Sequence, residues 1–349
     1  MIVKAPAFWY RPPGLAAALL EPFGRCYEAA GRMRRARTTP QLVGAPVVCV
    51  GNLVAGGAGK TPLALAIADI LAGWGLAPHF LTRGYQGRLA GPVRVTPHLH
   101  DAADVGDEAL LLAGRAPTWV SRDRAAGALR AVADGARSLV LDDGFQNPAL
   151  VYRLAVLVVD GATGFGNRRV IPAGPLRERV EHGLARASAL VVMGEDQAGI
   201  ATEAMNFAAA TGGHLPVFHA RLEPDPAVAE SLRGQRVVAF AGIGRPAKFF
   251  ETLDRLGAHL EGEIAFADHQ PYTAGQILKL VERAHHKRAQ LVTTAKDHVR
   301  LPEAVRSMVR VLPVAVEWRS GGAFIRLLAA AVDHHPAAHA SEGGHHGRS

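Results

Sequence analysis

A glycine-rich loop that ends in lysine and threonine is the most informative chemical pattern in this 349-residue chain. Backbone N–H groups of such a loop converge on phosphate oxygens, and glycines permit the backbone conformations that this requires. The Lys60 ammonium would reach the β- and γ-phosphates of ATP, and the Thr61 hydroxyl would ligate Mg²⁺. The predicted ATP-binding residues are Gly56, Gly57, Ala58, Gly59, Lys60 and Thr61.

The loop departs from the strict phosphate-loop pattern because Val54 stands where a glycine is expected, five residues before Gly59. Its GGxGKT core is therefore a variant of that pattern. An apolar run at 47–50 precedes the loop, and an alanine-rich apolar run begins at Pro62, so the loop lies between a predicted strand and a predicted helix. This position argues against the alternative of a glycine turn with a chance Lys-Thr pair.

Two adjacent carboxylates, Asp142 and Asp143, end a second apolar run at 138–141. A strand that ends in aspartate is typical of a Walker B element, which holds Mg²⁺ directly or through water. Neighbouring side chains on a strand face opposite ways, so the two carboxylates are expected to have different roles unless the strand ends between them. A solvated loop start is the alternative. The predicted metal-binding residues are Thr61, Asp142, Asp143 and Glu108.

A second acidic pair, Asp107 and Glu108, opens an apolar helical run at 109–113. Carboxylates at a helix start are ordinary caps, but the same position suits a base that accepts a proton from a substrate hydroxyl. His269 follows Asp268 in a predicted loop before a helix. A lone histidine is more often structural than catalytic, so residue types alone leave both interpretations open.

Predicted strands and helices alternate along the chain, which favours an α/β fold with a mostly parallel sheet covered on both faces. The apolar runs that predict further strands of the first domain lie at 154–159 and 189–192, and those of a second series lie at 236–241, 290–293 and 309–314. We place the domain boundary near 205–220. The prediction is a phosphate-loop domain at 41–210 and a smaller α/β domain at 211–332.

The first forty residues carry seven basic and two acidic side chains, in a chain whose net charge is +8. No apolar stretch approaches the roughly 20 residues that span a bilayer. Segment 1–40 therefore predicts an amphipathic helix lying on anionic lipid, with an aromatic group before it. The alternatives are a helix packed on its own domain, and nucleic-acid binding, for which no recognisable module is present. The apolar residues at helical spacing are Leu15, Leu19, Phe23, Tyr27 and Ala30.

The composition, with 49% hydrophobic and 20% charged residues, is typical of a folded globular protein. The two cysteines, Cys26 and Cys49, exclude a disulfide framework and a cysteine-based zinc site, and they favour a reduced cytosolic setting. The His-rich segment 333–349 is expected to be a disordered tail rather than a metal site.

Taken together, the motifs resemble those of the lipid A 4'-kinases, the tetraacyldisaccharide 4'-kinase family. One residue differs from the family pattern, because Ala295 stands where family members often have glutamate. The resemblance does not extend to the His-rich tail. The matching segments run in chain order: Val50–Leu53 with Gly56–Pro62, Thr82–Tyr85, Asp104–Glu108, Leu141–Gln146, Pro172–Glu178, Gly242–Gly244, Phe266–His269 and Thr293–Asp297.

The resemblance implies that ATP, with Mg²⁺, phosphorylates the 4'-hydroxyl of an acylated glucosamine disaccharide 1-phosphate. It places this reaction at the cytoplasmic face of a Gram-negative inner membrane, on a peripheral or monotopic protein with two α/β/α domains and a cleft between them. The expected partners are the lipid substrate and an anionic membrane surface, with no nucleic acid and no obligate protein partner. A nucleotide-dependent switch or assembly factor is the alternative, and the lack of an NKxD-like motif favours ATP over GTP.

The resemblance also implies roles for individual residues. Asp107 would accept the proton of the sugar hydroxyl, and His269 would orient that carboxylate or share the proton. Lys60 would act on the phosphates during transfer. Four further residues are expected to line the cleft or to contact substrate or nucleotide: Arg83, Tyr85, Arg177 and Glu178.

Overall fold

The computed structural model describes residues 6–333. The strands are β1 (Val47–Gly51), β2 (Pro78–Thr82), β3 (Val93–Arg94), β4 (Thr118–Val120), β5 (Ser138–Asp142), β6 (Leu154–Asp160), β7 (Ala189–Met193), β8 (Val217–Pro224), β9 (Arg236–Ala241), β10 (His259–Ala265), β11 (Gln290–Thr294), β12 (Arg310–Leu312) and β13 (Val314–Trp318).

A 3₁₀ helix at Ala7–Tyr10 precedes the α-helices. These are α1 (Leu15–Ala36), α2 (Lys60–Gly73), α3 (Ala102–Val105), α4 (Asp107–Ala113), α5 (Arg124–Ala133), α6 (Val180–Leu184), α7 (Ile200–Thr211), α8 (Pro226–Leu232), α9 (Pro246–Arg255), α10 (Ala274–His286), α11 (Ala295–His298), α12 (Glu303–Arg306) and α13 (Gly321–Ala331).

The larger sheet has the strand order β13-β8-β7-β6-β1-β5-β2-β4-β3. Strand β1 lies near its middle and pairs in parallel with both β5 and β6. Antiparallel pairs lie at the two edges, β13 with β8 and β3 with β4. The central strands are buried on both faces, which explains why they are apolar throughout rather than alternating.

Helices cover both faces of this sheet. Because successive side chains of a strand point to opposite faces, neighbouring residues of β1 pack into different cores. Cys49 of β1 packs into the core shared with α5, α6 and α7. Its neighbour Val50 packs into the other core, with α2 and α13. An α/β fold built on a large, mostly parallel sheet, as predicted, is therefore confirmed.

The smaller sheet has the order β10-β9-β11-β12, and its strands are parallel. Strand β9 is buried on both faces. Ala239 packs against α9 residues such as Leu253, and Phe240 packs against α10 residues such as Ile277. The carboxyl end of β9 leads into the loop Gly242–Arg245, and the carboxyl end of β10 leads into the loop that carries His269.

The course of the chain between the sheets differs from the predicted division at 205–220. Strand β8 pairs in parallel with β7, and β13 pairs with β8, so both belong to the larger sheet rather than to a domain formed by 211–332. Phe324 and Leu328 of α13 also pack into a core of the larger sheet. Apolar periodicity identifies a strand but not the sheet that it joins, so sequence order alone misplaced these elements.

Helix α1 lies against the larger domain through a narrow face. Its buried residues are Ala17, Gly24 and Glu28, and a Cβ at Gly24 would come within 2.8 Å of the Val170 carbonyl oxygen. Glycine therefore allows a close approach here. The predicted apolar stripe points the other way, and its members are largely exposed: Leu15 at 85%, Leu19 at 75%, Phe23 at 64% and Tyr27 at 48%.

No helix within residues 6–333 is long and apolar enough to cross a membrane. Helix α1 thus packs on its own domain, as in one of the alternatives, but through Ala17, Gly24 and Glu28 and not through the apolar stripe. The His-rich tail predicted to be disordered at 333–349 lies, apart from Asp333, outside the described residues.

Candidate active site

The phosphate loop joins the carboxyl end of β1 to the amino end of α2, as the sequence predicted. Gly59 precedes the helix with a φ of +87°, a conformation that side-chain-bearing residues rarely adopt. The Lys60 ammonium folds back over the loop. Its Nζ lies 3.2 Å from the Gly56 carbonyl oxygen and 3.8 Å from Asp143 Oδ1. The loop and its lysine therefore face the end of the neighbouring strand β5.

The Thr61 hydroxyl donates a hydrogen bond to Asp142 Oδ2 at 2.7 Å. Among the described residues, the other carboxylate oxygen, Asp142 Oδ1, is buried without a hydrogen-bond partner. Burial, with the nearby charge of Glu108, raises the pKa of Asp142 to about 7. A threonine hydroxyl beside a buried carboxylate oxygen that has no partner fits the oxygen ligands that Mg²⁺ prefers.

Asp143 has different surroundings, and its φ of +56° marks the point where the strand has ended. Its Oδ1 accepts a hydrogen bond from Arg177 Nη1 at 2.7 Å. Burial alone would raise the pKa of Asp143, but the charges of Lys60 and Arg177 lower it to about 2. Asp143 is thus paired with two cations, whereas no salt bridge within residues 6–333 involves Asp142, on which Lys60 acts only from a greater distance.

Asp107 and His269 meet across the cleft between the two sheets. Asp107 begins α4 and is 4% exposed, and its Oδ2 lies 2.8 Å from His269 Nδ1. The backbone N–H of Glu108 donates to Asp107 Oδ1 at 2.9 Å. Burial alone would raise the pKa of Asp107, but the hydrogen bond from His269 and the charges of Lys296 and Arg300 lower it. The carboxylate is therefore held in its charged form.

Sequence reasoning gave no role to Lys296 and Arg300, which both approach Asp107. Lys296 Nζ lies 3.9 Å from Asp107 Oδ2 and 3.5 Å from Glu108 Oε1, and Arg300 Nε lies 3.8 Å from Asp107 Oδ2. Burial would lower the pKa of Lys296, but the charges of Asp107 and Glu108 raise it. The only hint in the sequence was the segment Thr293–Asp297 at the end of a predicted strand.

Buried Asp297 organises this part of the smaller domain. Its Oδ1 accepts from the Gly242 backbone at 2.8 Å and from the Tyr272 hydroxyl at 2.7 Å, and it also contacts Arg300. Its Oδ2 accepts from the Thr294 hydroxyl at 2.6 Å. Helix α11 is thereby tied to the loop after β9.

The four residues predicted to contact substrate or nucleotide have different environments. Arg83 and Tyr85 are exposed after β2, and the Tyr85 ring meets the His269 ring edge-on at 5.7 Å between centroids. Arg177 reaches Asp143, as described. Glu178, with a side chain only 1% exposed, pairs with Arg186 at 2.7 Å and with Arg35 at 3.4 Å. Its carboxylate therefore holds arginines in place.

Within residues 6–333, no group of three or more histidine, cysteine, aspartate or glutamate side chains is arranged to hold a metal ion. Magnesium in a phosphate-loop site needs no such cluster, because one carboxylate, a hydroxyl, water and the phosphates suffice. Thr61 and Asp142 are protein groups of the kinds that such a site uses.

The sequence profile described as tetraacyldisaccharide-1-P 4'-kinase matches residues 16–333. The chain belongs to the tetraacyldisaccharide-1-P 4'-kinase family. Two relatives named tetraacyldisaccharide 4'-kinase are similar over nearly their whole length. The one from Rhodospirillum centenum is 54% identical over 94% of this chain and 96% of its own, and that from Rhodospirillum rubrum is 52% identical over 93% and 97%. The resemblance drawn from the motifs is thus confirmed.

The fold is similar to a solved structure of the apo form of LpxK from Aquifex aeolicus in complex with ATP. The TM-score is 0.69 at 24% identity, and the match covers 91% of this chain and all of the other. At this identity the similarity supports the fold alone. Membership of the tetraacyldisaccharide-1-P 4'-kinase family rests on the sequence.

Proposed function

We propose that this chain transfers the γ-phosphate of ATP to the 4'-hydroxyl of a tetraacylated glucosamine disaccharide 1-phosphate, a step in lipid A biosynthesis. The observation that carries the proposal is the 2.8 Å contact between Asp107 and His269, which joins the phosphate-loop domain to the smaller domain. The family and its relatives, which are named for this kinase activity, support the same reaction.

The phosphate loop and α2 would bind the ATP phosphates through backbone N–H groups and the positive end of the helix. Lys60 would leave Asp143 and neutralise charge on the β- and γ-phosphates. Thr61 and Asp142 would hold Mg²⁺, which when bound supplies positive charge to the phosphate oxygens during transfer. Arg177 remains paired with Asp143 and keeps that carboxylate compensated when the lysine moves.

On the acceptor side, Asp107 would take the proton of the 4'-hydroxyl. The hydroxyl oxygen forms a bond to the γ-phosphorus while the bond from that phosphorus to the β–γ bridging oxygen breaks, and its electron pair leaves with ADP. His269 donates to Asp107 and keeps the carboxylate in place. Closure of the smaller domain would exclude water from this transfer.

The exposed stripe of α1 would lie on the membrane. Leu15, Leu19 and Phe23 present apolar surface, and the many arginines of the segment would meet anionic headgroups. The carboxyl-terminal part of α1 lies near the candidate active site, because Arg35 pairs with Glu178, the residue after Arg177, at 3.4 Å. Near the end of α1, Arg34 donates to the Gln146 carbonyl oxygen at 3.2 Å. Acyl chains along α1 would thus bring the sugar to the cleft at the cytoplasmic face, where ATP is available.

The test is purified protein with γ-labelled ATP and the acylated disaccharide 1-phosphate in mixed micelles. We expect label in the lipid, none when the acceptor already carries a 4'-phosphate, and none with Lys60→Ala. The alternative of a switch or assembly factor is not favoured by the family. ATP turnover that is independent of the lipid and stimulated by a protein partner would revive it and contradict the kinase assignment.

A further inference from the structure

Arg245 of the smaller domain pairs with Asp160 of the larger domain, at a second place where the two domains meet. Asp160 ends β6, and Arg245 lies in the loop that follows β9. The guanidinium of Arg245 contacts Asp160 Oδ2 through Nη2. Within residues 6–333, Asp160 forms a salt bridge with no other basic side chain. Opposite charges thus join the two domains at a distance from the Asp107–His269 pair.

The Asp160 carboxylate is held in place by its own turn. Its Oδ1 accepts from the backbone N–H groups of Ala162 at 3.1 Å and Thr163 at 3.2 Å. The Asp160 side chain is 13% exposed, whereas that of Arg245 is 48% exposed. Because the turn uses one carboxylate oxygen, the other is left for Arg245. The larger domain therefore presents a fixed anionic group to the smaller one.

The two interdomain contacts lie on opposite sides of the phosphate loop. This loop follows β1, which has β6 on one side and β5, β2 and β4 in succession on the other. Asp160 ends β6, whereas Asp107 begins α4, whose Ala109 packs in one apolar cluster with Val120 of β4. Since the carboxyl ends of parallel strands share one edge of a sheet, the smaller domain meets this edge on both sides of the phosphate loop.

A backbone hydrogen bond links the loop of Arg245 to the loop of His269. The His269 N–H donates to the Gly242 carbonyl oxygen at 3.2 Å, three residues before Arg245. The Gly242 N–H in turn donates to buried Asp297 at 2.8 Å. The two loops are therefore tied to each other and to α11, so a contact that fixes Arg245 also fixes the place of His269.

We propose that Arg245 is a positioning residue, whose contact with Asp160 holds the smaller domain over the phosphate loop, so that bound ATP is retained and His269 stays opposite Asp107. The inference rests on the proposed function, because it concerns ATP bound in the same cleft. The alternative is a local role, in which Asp160 only caps the turn after β6. An amide at position 160 separates the two, because it keeps an oxygen acceptor for the turn but loses the charge.

The direct test is the dissociation rate of a fluorescent, non-hydrolysable ATP analogue, with Mg²⁺, from the full-length protein. Arg245→Gln and Asp160→Asn each remove one charge of the pair. We expect each to raise the dissociation rate about fivefold, as for loss of a partly exposed ion pair. Arg245→Lys should restore much of the retention. The matched control is Arg255→Gln, at an exposed arginine of α9, which should behave like the unmodified protein.

The double variant distinguishes a paired role from two local ones. If the residues act through their contact, Arg245→Gln combined with Asp160→Asn should raise the dissociation rate little beyond the larger single effect. An unchanged rate in folded Arg245→Gln, or single effects that multiply in the double variant, would overturn the proposal. Melting temperatures show which variants are folded, and Arg245→Gln decides alone if Asp160→Asn is not.

Hydrogen exchange tests the placement of the smaller domain and needs no nucleotide. In Arg245→Gln we expect faster exchange in the phosphate loop at 54–61 and in the His269 loop at 266–270. Exchange in β9 should be unchanged, because the core of the smaller domain is intact. Faster exchange throughout the smaller domain would instead indicate a loss of local stability, and unchanged exchange in both loops would equally contradict the positioning role.

Turnover connects the contact to the reaction. We expect Arg245→Gln to raise KM for ATP about fivefold and to lower kcat, with KM for the lipid little changed, because a smaller fraction of the protein holds the closed arrangement. A change in the KM for the lipid alone would count against the proposal. Failure of the proposed function is seen separately, as an absence of phosphate transfer to the lipid by the unmodified protein, whatever the exchange and dissociation rates of the variants.

Discussion

Asp107 and His269 lie 162 residues apart in the chain, yet their side chains meet at 2.8 Å. Asp107 begins α4 beside the larger sheet, and His269 follows β10 of the smaller sheet. The contact is thus a property of how the two sheets are placed, and not of either one alone. If the pair is the catalytic base, as proposed, that base is complete only while the cleft holds the two side chains together.

If the pair acts as one unit, removing either member should remove the function of both. We expect Asp107→Ala and His269→Ala each to lower kcat by about 10²-fold or more, with smaller effects on KM. The double variant should lose little beyond the larger single loss. The measurement is kcat for lipid phosphorylation in the three variants, together with their melting temperatures.

Asp123 offers a matched control for the alternative in which Asp107 is only a helix cap. Its side chain caps α5 by accepting from the Ala126 backbone at 3.1 Å. Asp123→Ala should lower the melting temperature without lowering kcat. If Asp107→Ala behaves like Asp123→Ala, or if the Asp107 and His269 losses multiply, the paired function is wrong.

Lys60 is the cation of the phosphate loop, and its ammonium now lies near Gly56 and Asp143. Lys60→Ala removes the charge that would stabilise the transferring phosphoryl group, so we expect transfer to fall at least about 10²-fold. Lys248→Ala, an exposed lysine on α9, should have normal activity. Near-normal transfer by folded Lys60→Ala would exclude the phosphate-loop assignment.

Much of the larger domain was predictable, because its central strands and the helix after the phosphate loop have strong local patterns. The runs at 47–50, 138–141 and 189–192 correspond to β1, β5 and β7 within one residue. The glycine loop and the paired aspartates also lie together as expected, since the carboxyl ends of neighbouring parallel strands meet at one edge of a sheet.

Other features depend on long-range placement that local patterns do not contain. The run predicted as one strand at 309–314 divides at Pro313 into β12 and β13, and the two halves join different sheets. Lys296 had no visible role, because nothing local to α11 reveals that α4 of the other domain lies opposite. Glu178 was expected at the cleft, and its burial under two arginines became visible only in three dimensions.

The two aspartates at the end of β5 should affect stability in opposite directions as pH changes. The pKa of Asp142 is raised to about 7 in the folded protein. The folded state then binds more protons than the unfolded state, whose aspartate pKa is about 3.9, so Asp142 costs stability as pH rises between these values. In metal-free protein, Asp142→Asn should therefore raise the melting temperature at neutral and higher pH, with little effect at pH about 4.

The pKa of Asp143 is lowered to about 2, so its contribution has the opposite sign. It stabilises the folded state above the unfolded pKa, and that stability is lost as pH falls toward the folded value. Asp143→Asn should lower the melting temperature at neutral pH and should matter less in acid. Parallel pH series of the two variants in a chelator would check this, and shifts of equal sign would contradict the assigned environments.

The exposed stripe of α1 gives a test of membrane binding that leaves the fold intact. Leu19 and Phe23 are 75% and 64% exposed, so charged replacements remove apolar surface without opening a core. Burial of such side chains in lipid contributes roughly 1.5–3 kcal/mol each, so Leu19→Glu with Phe23→Glu should weaken binding to anionic vesicles about tenfold or more.

Leu99→Glu, at a leucine that is 77% exposed in a loop of the larger domain, is the matched control and should bind normally. Vesicle sedimentation at low and moderate salt would measure both. Unchanged binding of the double variant would show that α1 does not lie on the membrane through this face, whatever the activity of the enzyme in micelles.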